Sequence, residues 1–446
     1  MTGQAPASWW RPHAVVDMRP AERRALGWAW LYILSVLCSY YIIRPIRDDA
    51  GVAGGVENLP WLFTGTLGGM LAVNPVFAGL VRRLPRARFI AIAYRLFTAS
   101  MLLFVVLFGV ATPAQTIWVG RVFFIWASVF NLFVVSVFWA LMVDVFDSEQ
   151  GRRLYGVIAA GATIGSLLGS TVTAALAHRV GVPVLLLLSM ACLEVAVFSV
   201  GRLARLSDAL RRHPAPREDE TPIGGGLLSG ITHAFRSPYL VNVSVYMLLY
   251  AITSTFLYFE QAAVVARAFK DRAARTAFFA QVDLLVNALT LVIQLFVTGP
   301  LLRVLGVAMS LAILPALSVL GFAALGLAPV VTTVVAFQVV RRTGNFAVAR
   351  PTREVLFTVV AREDKYKAKS FIDTVIYRAG DQLGAWSWGL LGAVGLGAAA
   401  TAWVAVPLSA AWLANAWWLG RRQERLASTE TAAQPRAEPA AQAPRG

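Results

Sequence analysis

The sequence predicts an all-α membrane protein with about twelve transmembrane helices in two six-helix pseudo-repeats. Three observations lead to this fold class: a surplus of apolar residues, long apolar runs that recur along the chain, and motifs that recur at a constant offset. Hydrophobic residues make up 58% of the 446 residues and charged residues only 14%, whereas soluble domains carry about a quarter charged residues. The surplus apolar surface therefore requires lipid around it.

Twelve apolar runs have the length that a bilayer crossing requires, about 20 residues for a hydrocarbon core of about 30 Å. We number them spans one to twelve: residues 25–47, 60–81, 88–111, 116–146, 154–177, 183–204, 239–266, 276–302, 305–328, 330–360, 369–394 and 399–420. Spans four and ten exceed the length of one crossing. We expect them to project into the cytoplasm or to break near Pro351.

Basic residues in the loops predict the orientation, because cytoplasmic loops of membrane proteins are enriched in lysine and arginine. Most of the loop cations fall on one side: Arg82, Arg83, Arg86, Arg88, Arg152, Arg153, Lys365, Lys367, Lys369, Arg421, Arg422 and Arg425. This distribution predicts a multi-pass protein of the bacterial inner (plasma) membrane with both termini in the cytoplasm. It also accounts for the net charge of +16, so we expect no nucleic-acid partner.

One loop departs from the charge rule. Arg267, Lys270, Arg272 and Arg275 lie on the side predicted to be external. Such a cluster could gather anions at an outer vestibule.

Composition also predicts the domain organisation. We expect a cytoplasmic tail over residues 1–24, an N-terminal half over 25–204, a cytoplasmic linker over 205–238, a C-terminal half over 239–420 and a disordered cytoplasmic tail over 421–446. Proline, glycine and charge keep the linker soluble and flexible. The alanine- and proline-rich tail has little to bury.

The two halves share motifs at a constant offset. Asn131, Glu149 and Arg153 match Asn345, Glu363 and Lys367 at 214 positions, and Gly165 and Gly169 match Gly380 and Gly384 at 215. Two parallel six-helix repeats around an axis normal to the membrane describe the major facilitator fold, in which the substrate binds near the bilayer midplane.

The sequence offers no pattern for catalysis or for a cofactor. It has no phosphate-cradling glycine loop, no His-Glu-x-x-His and no paired-cysteine metal motif, and Cys38 and Cys192 both lie inside apolar runs. We therefore expect neither an enzyme nor a metal or cofactor site. The expected partners are the lipid bilayer and an anionic small molecule, and the chain is expected to be monomeric.

Charged residues inside spans are the candidates for function, because burying a charge in lipid costs several kcal/mol unless it is paired or faces water. Span eight carries a polar stripe of Asp283, Asn287, Thr290, Gln294 and Thr298, which share one helical face. The pattern favours the wall of a cavity, with a helix-packing seam as the alternative.

The remaining candidates lie at three places. Span one ends with Tyr41, Arg44 and Arg47, span ten carries Arg341, Arg342 and Asn345, and span eleven carries Arg378, Asp381 and Gln382 on one face. Arginine presents a planar fork of donors that suits carboxylate and phosphate oxygens. Together with Asn131, Asp283 and Asn287 these residues form the predicted substrate site, and Asp283, Glu260 and Asp381 are the candidates for proton coupling.

Several segments resemble one known family. Arg44-Pro45-Ile46-Arg47-Asp48 resembles the basic-Pro-x-basic-Asp motif that closes the first span of the bacterial and plastid ATP/ADP carriers. The segments 136–139 and 149–156 resemble their fourth and fifth spans. The segments 350–357 and 365–373 resemble their Pro-x-basic-Glu and Lys-x-Lys-x-x-x-Asp blocks, and the order and spacing agree over most of the chain.

The resemblance implies a nucleotide carrier, often an exchanger of ATP for ADP, with Arg44 at the substrate-critical basic position of span one. Two charged positions do not match: Asn131 aligns with a glutamate of the carriers, and Asp381 aligns with a lysine. We therefore expect a divergent antiporter-like secondary transporter of an anionic solute, such as a nucleotide or a related phosphorylated compound. The alternatives are a proton-coupled carrier of another organic anion and a non-transporting membrane scaffold or sensor.

Overall fold

The computed structural model describes residues 19, 22–83, 86–146, 148–210, 237–360, 368–369 and 371–433, and these form helices joined by short turns. We label the α-helices in chain order: α1 Arg23–Ala53, α2 Leu59–Arg83, α3 Arg86–Val110, α4 Pro113–Val145, α5 Ser148–Leu210, α6 Pro238–Ala268, α7 Arg272–Phe296, α8 Thr298–Leu327, α9 Val331–Gly344, α10 Arg350–Val355, α11 Tyr377–Ala393 and α12 Ala398–Ala433.

Eight of the described helices are long and apolar enough to cross a membrane. Large apolar side chains are exposed along them, among them Leu96, Val304 and Leu320, as expected where a helix faces acyl chains rather than water. The predicted all-α membrane fold is therefore confirmed. The count of twelve spans stays a prediction.

The described residues form two units. The first contains α1 to α5 together with Phe269–Asn287, which includes most of α7. The second contains α6, the end of α7 from Ala288, and α8 to α12. The predicted halves differ from this grouping, because Phe269–Asn287 follows the linker in the sequence but belongs to the first unit.

Helix α1 forms the centre of the first unit and packs closely against α5. Gly165 and Gly169 of α5 lie directly on the α1 backbone, where a β-carbon would overlap the carbonyl oxygens of Leu34 and Cys38. Small residues at such a seam let two helix backbones approach each other. The buried cluster of the unit continues through Tyr32, Phe123, Phe130 and other aromatic side chains of α1 and α4.

Spans five and six form one continuous stretch, α5, which turns at Gly181. This glycine has φ 70° and ψ 173°, a backbone conformation that a side chain disfavours. Both legs of α5 contact α1 near the same level: Gly169 before the turn lies against Cys38, and Cys192 after it places its sulfur 3.7 Å from that of Cys38. The turn therefore separates two helical legs, in agreement with two predicted spans.

The second unit repeats this packing. Gly380 and Gly384 of α11 lie on α6, where a β-carbon would come within 2.9 Å of the Leu248 carbonyl oxygen and 3.0 Å of that of Ile252. These are the glycines that the sequence matches to Gly165 and Gly169. The same close seam thus forms once in each unit, at positions related by the sequence repeat.

The helical winding of span ten changes just before Pro351, where the sequence predicts a break, and the backbone stays helical. Helix α9 ends at Gly344 and passes through a π-helical segment, Asn345–Ala349, into the short helix α10. Pro351 has no backbone N–H and leaves the Ala347 carbonyl without its helical donor. The Thr298 hydroxyl donates to this carbonyl at 2.7 Å, and the Gln294 amide donates to the Phe346 carbonyl at 3.1 Å.

Two helices extend past the predicted domain boundaries. Helix α5 continues to Leu210, inside the predicted linker, and residues 211–236 lie outside the described residues. Helix α12 continues to Ala433, inside the predicted tail, and residues 434–446 lie outside the described residues. The polar end of α12 is anchored because Glu424 accepts a hydrogen bond of 3.0 Å from the Ala308 amide, just after the Gly306 turn in α8.

Candidate functional site

In the first unit, Arg44 lies next to a buried acid. Its guanidinium donates to Asp283 at 2.9 Å and lies 4.0 Å from Asp48, and its cation faces the Tyr41 ring at 5.6 Å. Asp283 is only 2% exposed. Sequence reasoning places Arg44 and Asp283 in one site, and the structure brings them together as an ion pair, so the Arg44 charge is already neutralised.

A second ion-pair cluster lies at the end of α1. Asp49 is fully buried and accepts from Arg272 at 2.9 Å and from Arg275 at 2.7 Å. These two arginines belong to the loop cluster that the sequence offers as an anion-gathering vestibule. For Arg272 and Arg275 the structure corrects that interpretation, because a buried carboxylate already binds both guanidinium groups.

The polar stripe of span eight has polar partners along most of its length. Asn287 donates to the Ser170 hydroxyl at 3.5 Å in the first unit. In the second unit, Thr298 donates to the Ala347 carbonyl that Pro351 leaves without its helical donor, and Gln294 donates to the neighbouring Phe346 carbonyl. Thr290 is buried, and its hydroxyl has no hydrogen-bond partner within the described part of the chain. The helix-packing seam therefore describes Asn287, Gln294 and Thr298 better than the cavity wall that the sequence favours.

The most unusual charge in the second unit is Arg341 of α9, which is 3% exposed. Its guanidinium donates to the hydroxyls of Ser318 at 3.0 Å, Ser254 at 2.9 Å and Thr253 at 2.8 Å, and to the Tyr250 carbonyl at 3.4 Å. All of these acceptors are neutral. No described carboxylate forms an ion pair with Arg341.

Two aromatic rings complete the surroundings of Arg341. Its guanidinium carbon lies 5.5 Å from the centre of the Tyr250 ring and 5.8 Å from that of Trp412. The Tyr246 hydroxyl and the Trp412 indole nitrogen are buried nearby, and neither has a hydrogen-bond partner among the described residues. Within the described part of the chain, Arg341 is thus a buried cation among neutral donors, acceptors and rings, without an ion-pair partner.

A third arginine, Arg378 of α11, is paired within its own helix. It donates to Asp381 at 2.9 Å, and the Thr255 hydroxyl lies 3.4 Å from the other Asp381 oxygen. Arg378 also faces the Tyr377 ring at 5.4 Å, and Tyr377 lies 6.2 Å from Tyr250. The two tyrosines therefore connect the Arg378–Asp381 pair to the surroundings of Arg341.

Glu260 of α6 is the most deeply buried acid among the predicted proton-coupling residues of the second unit. It is 0% exposed. One carboxyl oxygen accepts from the Trp388 indole at 2.9 Å, whereas the other has no hydrogen-bond partner among the described residues. No cation of the described chain forms an ion pair with it. A buried carboxyl group on a membrane helix, without a described ion-pair partner, is a candidate for function.

The two most specific blocks of the family resemblance contact each other. Arg353 lies 3.7 Å from Asp373, and Lys369 forms an ion pair with Glu354. Lys365 and Lys367 lie outside the described residues. These contacts hold α10 to the segment that leads into α11, so the described residues of the motif support the local structure.

The remaining predicted residues lie around these clusters. Arg47 pairs with Asp48 at 2.6 Å. Asn131, Arg342, Asn345 and Gln382 are half-buried on their helices. Sequence reasoning missed Thr253, Ser254, Ser318, Tyr250 and Trp412 around Arg341. Hydroxyls and aromatic residues are common in membrane helices, so only the buried arginine on a neighbouring helix distinguishes them.

Comparison with known proteins agrees with this architecture. No family model matches the chain. The chain is 22% identical over 375 residues to the ADP,ATP carrier protein 1 of Chlamydia muridarum (strain MoPn / Nigg), covering 73% of this chain and 70% of the carrier. This similarity confirms the resemblance that the motifs carry.

Two solved structures share the fold. A bacterial homolog of the human lysosomal transporter Spinster, in an inward-facing and unoccupied conformation, has a TM-score of 0.53 at 12% identity and covers 93% of this chain and 99% of its own. The nucleoside transporter NupG has a TM-score of 0.52 at 14% identity, with coverage of 92% and 99%. The chain is a multi-pass membrane protein with the major facilitator fold, and its sequence is similar to that of an ADP,ATP carrier protein.

Proposed function

We propose that this chain is a secondary transporter that carries an anionic solute across the bacterial inner membrane by alternating access. The solute is a nucleotide or a related phosphorylated compound, in keeping with the ADP,ATP carrier to which the chain is similar. Both termini face the cytoplasm, and the transporter acts as a monomer without a nucleic-acid partner. The single observation that carries this proposal is the buried, uncompensated Arg341.

A guanidinium buried among neutral groups is costly unless something else balances its charge. The hydroxyls of Thr253, Ser254 and Ser318 hold Arg341 in place. Hydrogen bonds to an anion are roughly twice as strong as bonds to such neutral acceptors. A phosphate or carboxylate oxygen that reaches this site would therefore displace hydroxyls from the guanidinium and bind in their place.

Arg44 and Arg378 have a different role in this proposal. Each is bonded to an acid of its own unit, Asp283 and Asp381 respectively. An incoming anion has to compete with these carboxylates, so substrate binding exchanges internal ion pairs for bonds to the substrate. Because only Arg341 of the three arrives without a counter-charge, a nucleoside monophosphate or a similarly modest anion should bind better than ATP near neutral pH.

Uptake into proteoliposomes tests the proposal. Purified full chain, reconstituted and preloaded with unlabelled compound, is offered a panel of labelled nucleoside mono-, di- and triphosphates and organic anions. We expect exchange of at least one phosphorylated compound, with the monophosphate favoured at pH 7. Absence of uptake for the whole panel, in vesicles that contain folded protein, would contradict transport and favour a scaffold or sensor.

A second candidate function, proton-coupled transport of an organic anion, is supported by Glu260. Its buried carboxyl group has one oxygen without a hydrogen-bond partner among the described residues, and no described cation forms an ion pair with it. A Glu260→Gln variant separates the two mechanisms. Loss of pH-gradient-driven uptake with intact exchange indicates proton coupling, whereas unchanged gradient-driven uptake excludes Glu260 as the proton site.

A further inference from the structure

A basic groove lies on the surface of the first unit, away from Arg44 and Asp283. It runs between α3 and the second leg of α5 and has a volume of about 510 Å³. Its lining includes Arg95, Glu194, Phe198, Gly201, Arg202 and Arg205. Three cations face one acid there, so the groove carries a surplus of positive charge.

The three arginines of the groove are available for a ligand. Arg95, Arg202 and Arg205 are exposed, and none of them forms an ion pair with a carboxylate of the described residues. Arg202 lies over the Phe198 ring at 4.9 Å, which fixes its guanidinium at the groove. The groove therefore presents three guanidinium forks against the single carboxylate of Glu194, and such forks match phosphate oxygens.

The walls beside the groove are apolar and exposed. Leu96 next to Arg95 is 70% exposed, and Phe198 on α5 is 54% exposed. Both α3 and α5 contain segments apolar enough to cross a membrane. Side chains of this kind on membrane-spanning helices face acyl chains, so cationic and lipid-facing surface occur together.

The arginines also lie at matching levels of the two helices. Arg95 is nine residues after the start of α3 and Arg202 is eight residues before the end of α5, which places each about 12–14 Å along its helix from that end. Both ends adjoin the loops that the charge rule predicts to be cytoplasmic. Long arginine side chains at such a level extend toward the headgroup region.

We propose that this groove binds the headgroup of an anionic phospholipid of the cytoplasmic leaflet. The guanidinium groups of Arg95, Arg202 and Arg205 bind the phosphate and its neighbouring oxygens, and the acyl chains lie against Leu96 and Phe198. Basic pockets between membrane helices on the cytoplasmic side are suited to such headgroups. Glu194 lines the same groove and weakens its positive field, so it limits the affinity.

The test measures lipid binding to the purified, delipidated full chain by native mass spectrometry. Phosphatidylglycerol and phosphatidylcholine are titrated separately into wild type and into an Arg95→Gln/Arg202→Gln/Arg205→Gln variant. Each arginine near a membrane surface contributes about fivefold to the binding of anionic lipid. We expect wild type to prefer phosphatidylglycerol, and we expect the triple variant to lose this preference.

The matched control removes three exposed arginines elsewhere, in an Arg421→Gln/Arg422→Gln/Arg425→Gln variant of α12. It should keep the preference for phosphatidylglycerol. Soluble glycerol phosphate is added as a separate competitor. It should not displace the lipid, and if it does so at equal concentration, the groove is a site for a free phosphate compound and the lipid assignment is wrong.

A second variant keeps the proposal testable if the triple variant does not fold. Glu194→Gln removes the one acid of the groove and should strengthen phosphatidylglycerol binding by about fivefold. Equal binding of the two lipids by wild type, or unchanged phosphatidylglycerol binding by Glu194→Gln, would overturn the proposal.

Discussion

Arg44 in the first unit and Arg341 in the second are both arginines on membrane helices, yet their surroundings differ. Arg44 donates to Asp283 at 2.9 Å, whereas Arg341 is held by three hydroxyls, a carbonyl oxygen and two aromatic rings. The family resemblance draws attention to Arg44, but the uncompensated charge is at Arg341. Arg44 thus meets one criterion for a binding residue, its position in a family motif. Arg341 meets another, a buried charge without a described ion-pair partner.

The largest expected effect concerns the pair in the first unit. Asp283→Asn removes the carboxylate that binds Arg44 at 2.9 Å and leaves only Asp48 at 4.0 Å, and breaking a buried pair costs up to about 3–5 kcal/mol. The thermal stability of the purified protein in detergent measures this loss. Asp381→Asn is the matched control. The Arg378 side chain is 31% exposed, so water can solvate its charge after Asp381 is neutralised, and the loss of stability should be smaller. Equal losses of thermal stability in the two variants would contradict the view that the Arg44–Asp283 pair is buried more effectively than the Arg378–Asp381 pair.

A smaller loss of stability is expected at the π-helical segment of span ten, Asn345–Ala349. Thr298→Val removes the hydroxyl that donates to the Ala347 carbonyl, and an unsatisfied buried carbonyl costs about 1–3 kcal/mol. Thr290→Val on the same helix is the control, since its hydroxyl has no described hydrogen-bond partner. We expect thermal unfolding to shift for Thr298→Val only, and a shift of the same size for both would show that the carbonyl contact is unimportant.

The Arg378–Asp381 pair should influence affinity more than stability. If Asp381 holds Arg378 in the empty state, Asp381→Asn frees the guanidinium, so that anions bind about tenfold more tightly and exchange more slowly. Binding of a labelled nucleoside monophosphate and its exchange rate in proteoliposomes measure the two effects. Unchanged affinity together with unchanged turnover would identify the pair as a permanent structural contact.

The smallest expected effect lies at the start of α1, outside the spans. Burial favours a raised pKa for Glu22, but hydrogen bonds from Arg153, the Arg19 amide and Gln150 outweigh it and lower the pKa below its ordinary value of 4.5. Because the pKa of Glu22 is lower in the folded than in the unfolded protein, ionised Glu22 stabilises the fold above pH 4.5. This stabilisation disappears as the pH falls through the pKa that Glu22 has in the folded protein.

Glu22→Gln should therefore lower the stability by about 1 kcal/mol at pH 7, because the glutamine oxygen still accepts hydrogen bonds from Arg153 but lacks the charge that strengthens them. Thermal unfolding of wild type and variant between pH 7 and pH 3 measures the difference. The two proteins should converge at the acidic end. A difference that grows on acidification would contradict the sign of this linkage.

Much of the fold could be predicted from the sequence because its signals are local. Apolar runs of the length of a bilayer crossing predicted the helices, and Gly165 and Gly380 marked the close seams at related positions. The turn at Gly181 falls in the predicted gap between spans five and six. The continuation of α12 to Ala433 was not predicted. It depends on Glu424 and the Ala308 amide, which are 116 residues apart.

The site could be predicted only in part, because helical periodicity gives the face of a residue but not its partner. The stripe from Asp283 to Thr298 was recognised as polar, yet its partners on other helices decide its role. Arg44 and Asp283 are distant in sequence, so their pairing is a tertiary contact that span positions do not reveal. The hydroxyls around Arg341 are individually ordinary, and only their convergence on a buried cation gives them significance.

The central claim is that Arg341 binds the anionic substrate, and the most direct test is the binding of labelled AMP and ATP to purified protein. The variants are Arg341→Gln and Arg341→Lys. The control is Arg303→Gln, which replaces an exposed arginine on α8. Hydrogen bonds to charged groups contribute about 1.5–3 kcal/mol. We therefore expect Arg341→Gln to lose about tenfold or more in AMP affinity, Arg341→Lys to lose less, and Arg303→Gln to bind like wild type, with AMP bound more tightly than ATP at pH 7. Wild-type affinity in folded Arg341→Gln protein would contradict the assignment of Arg341 as the anion site.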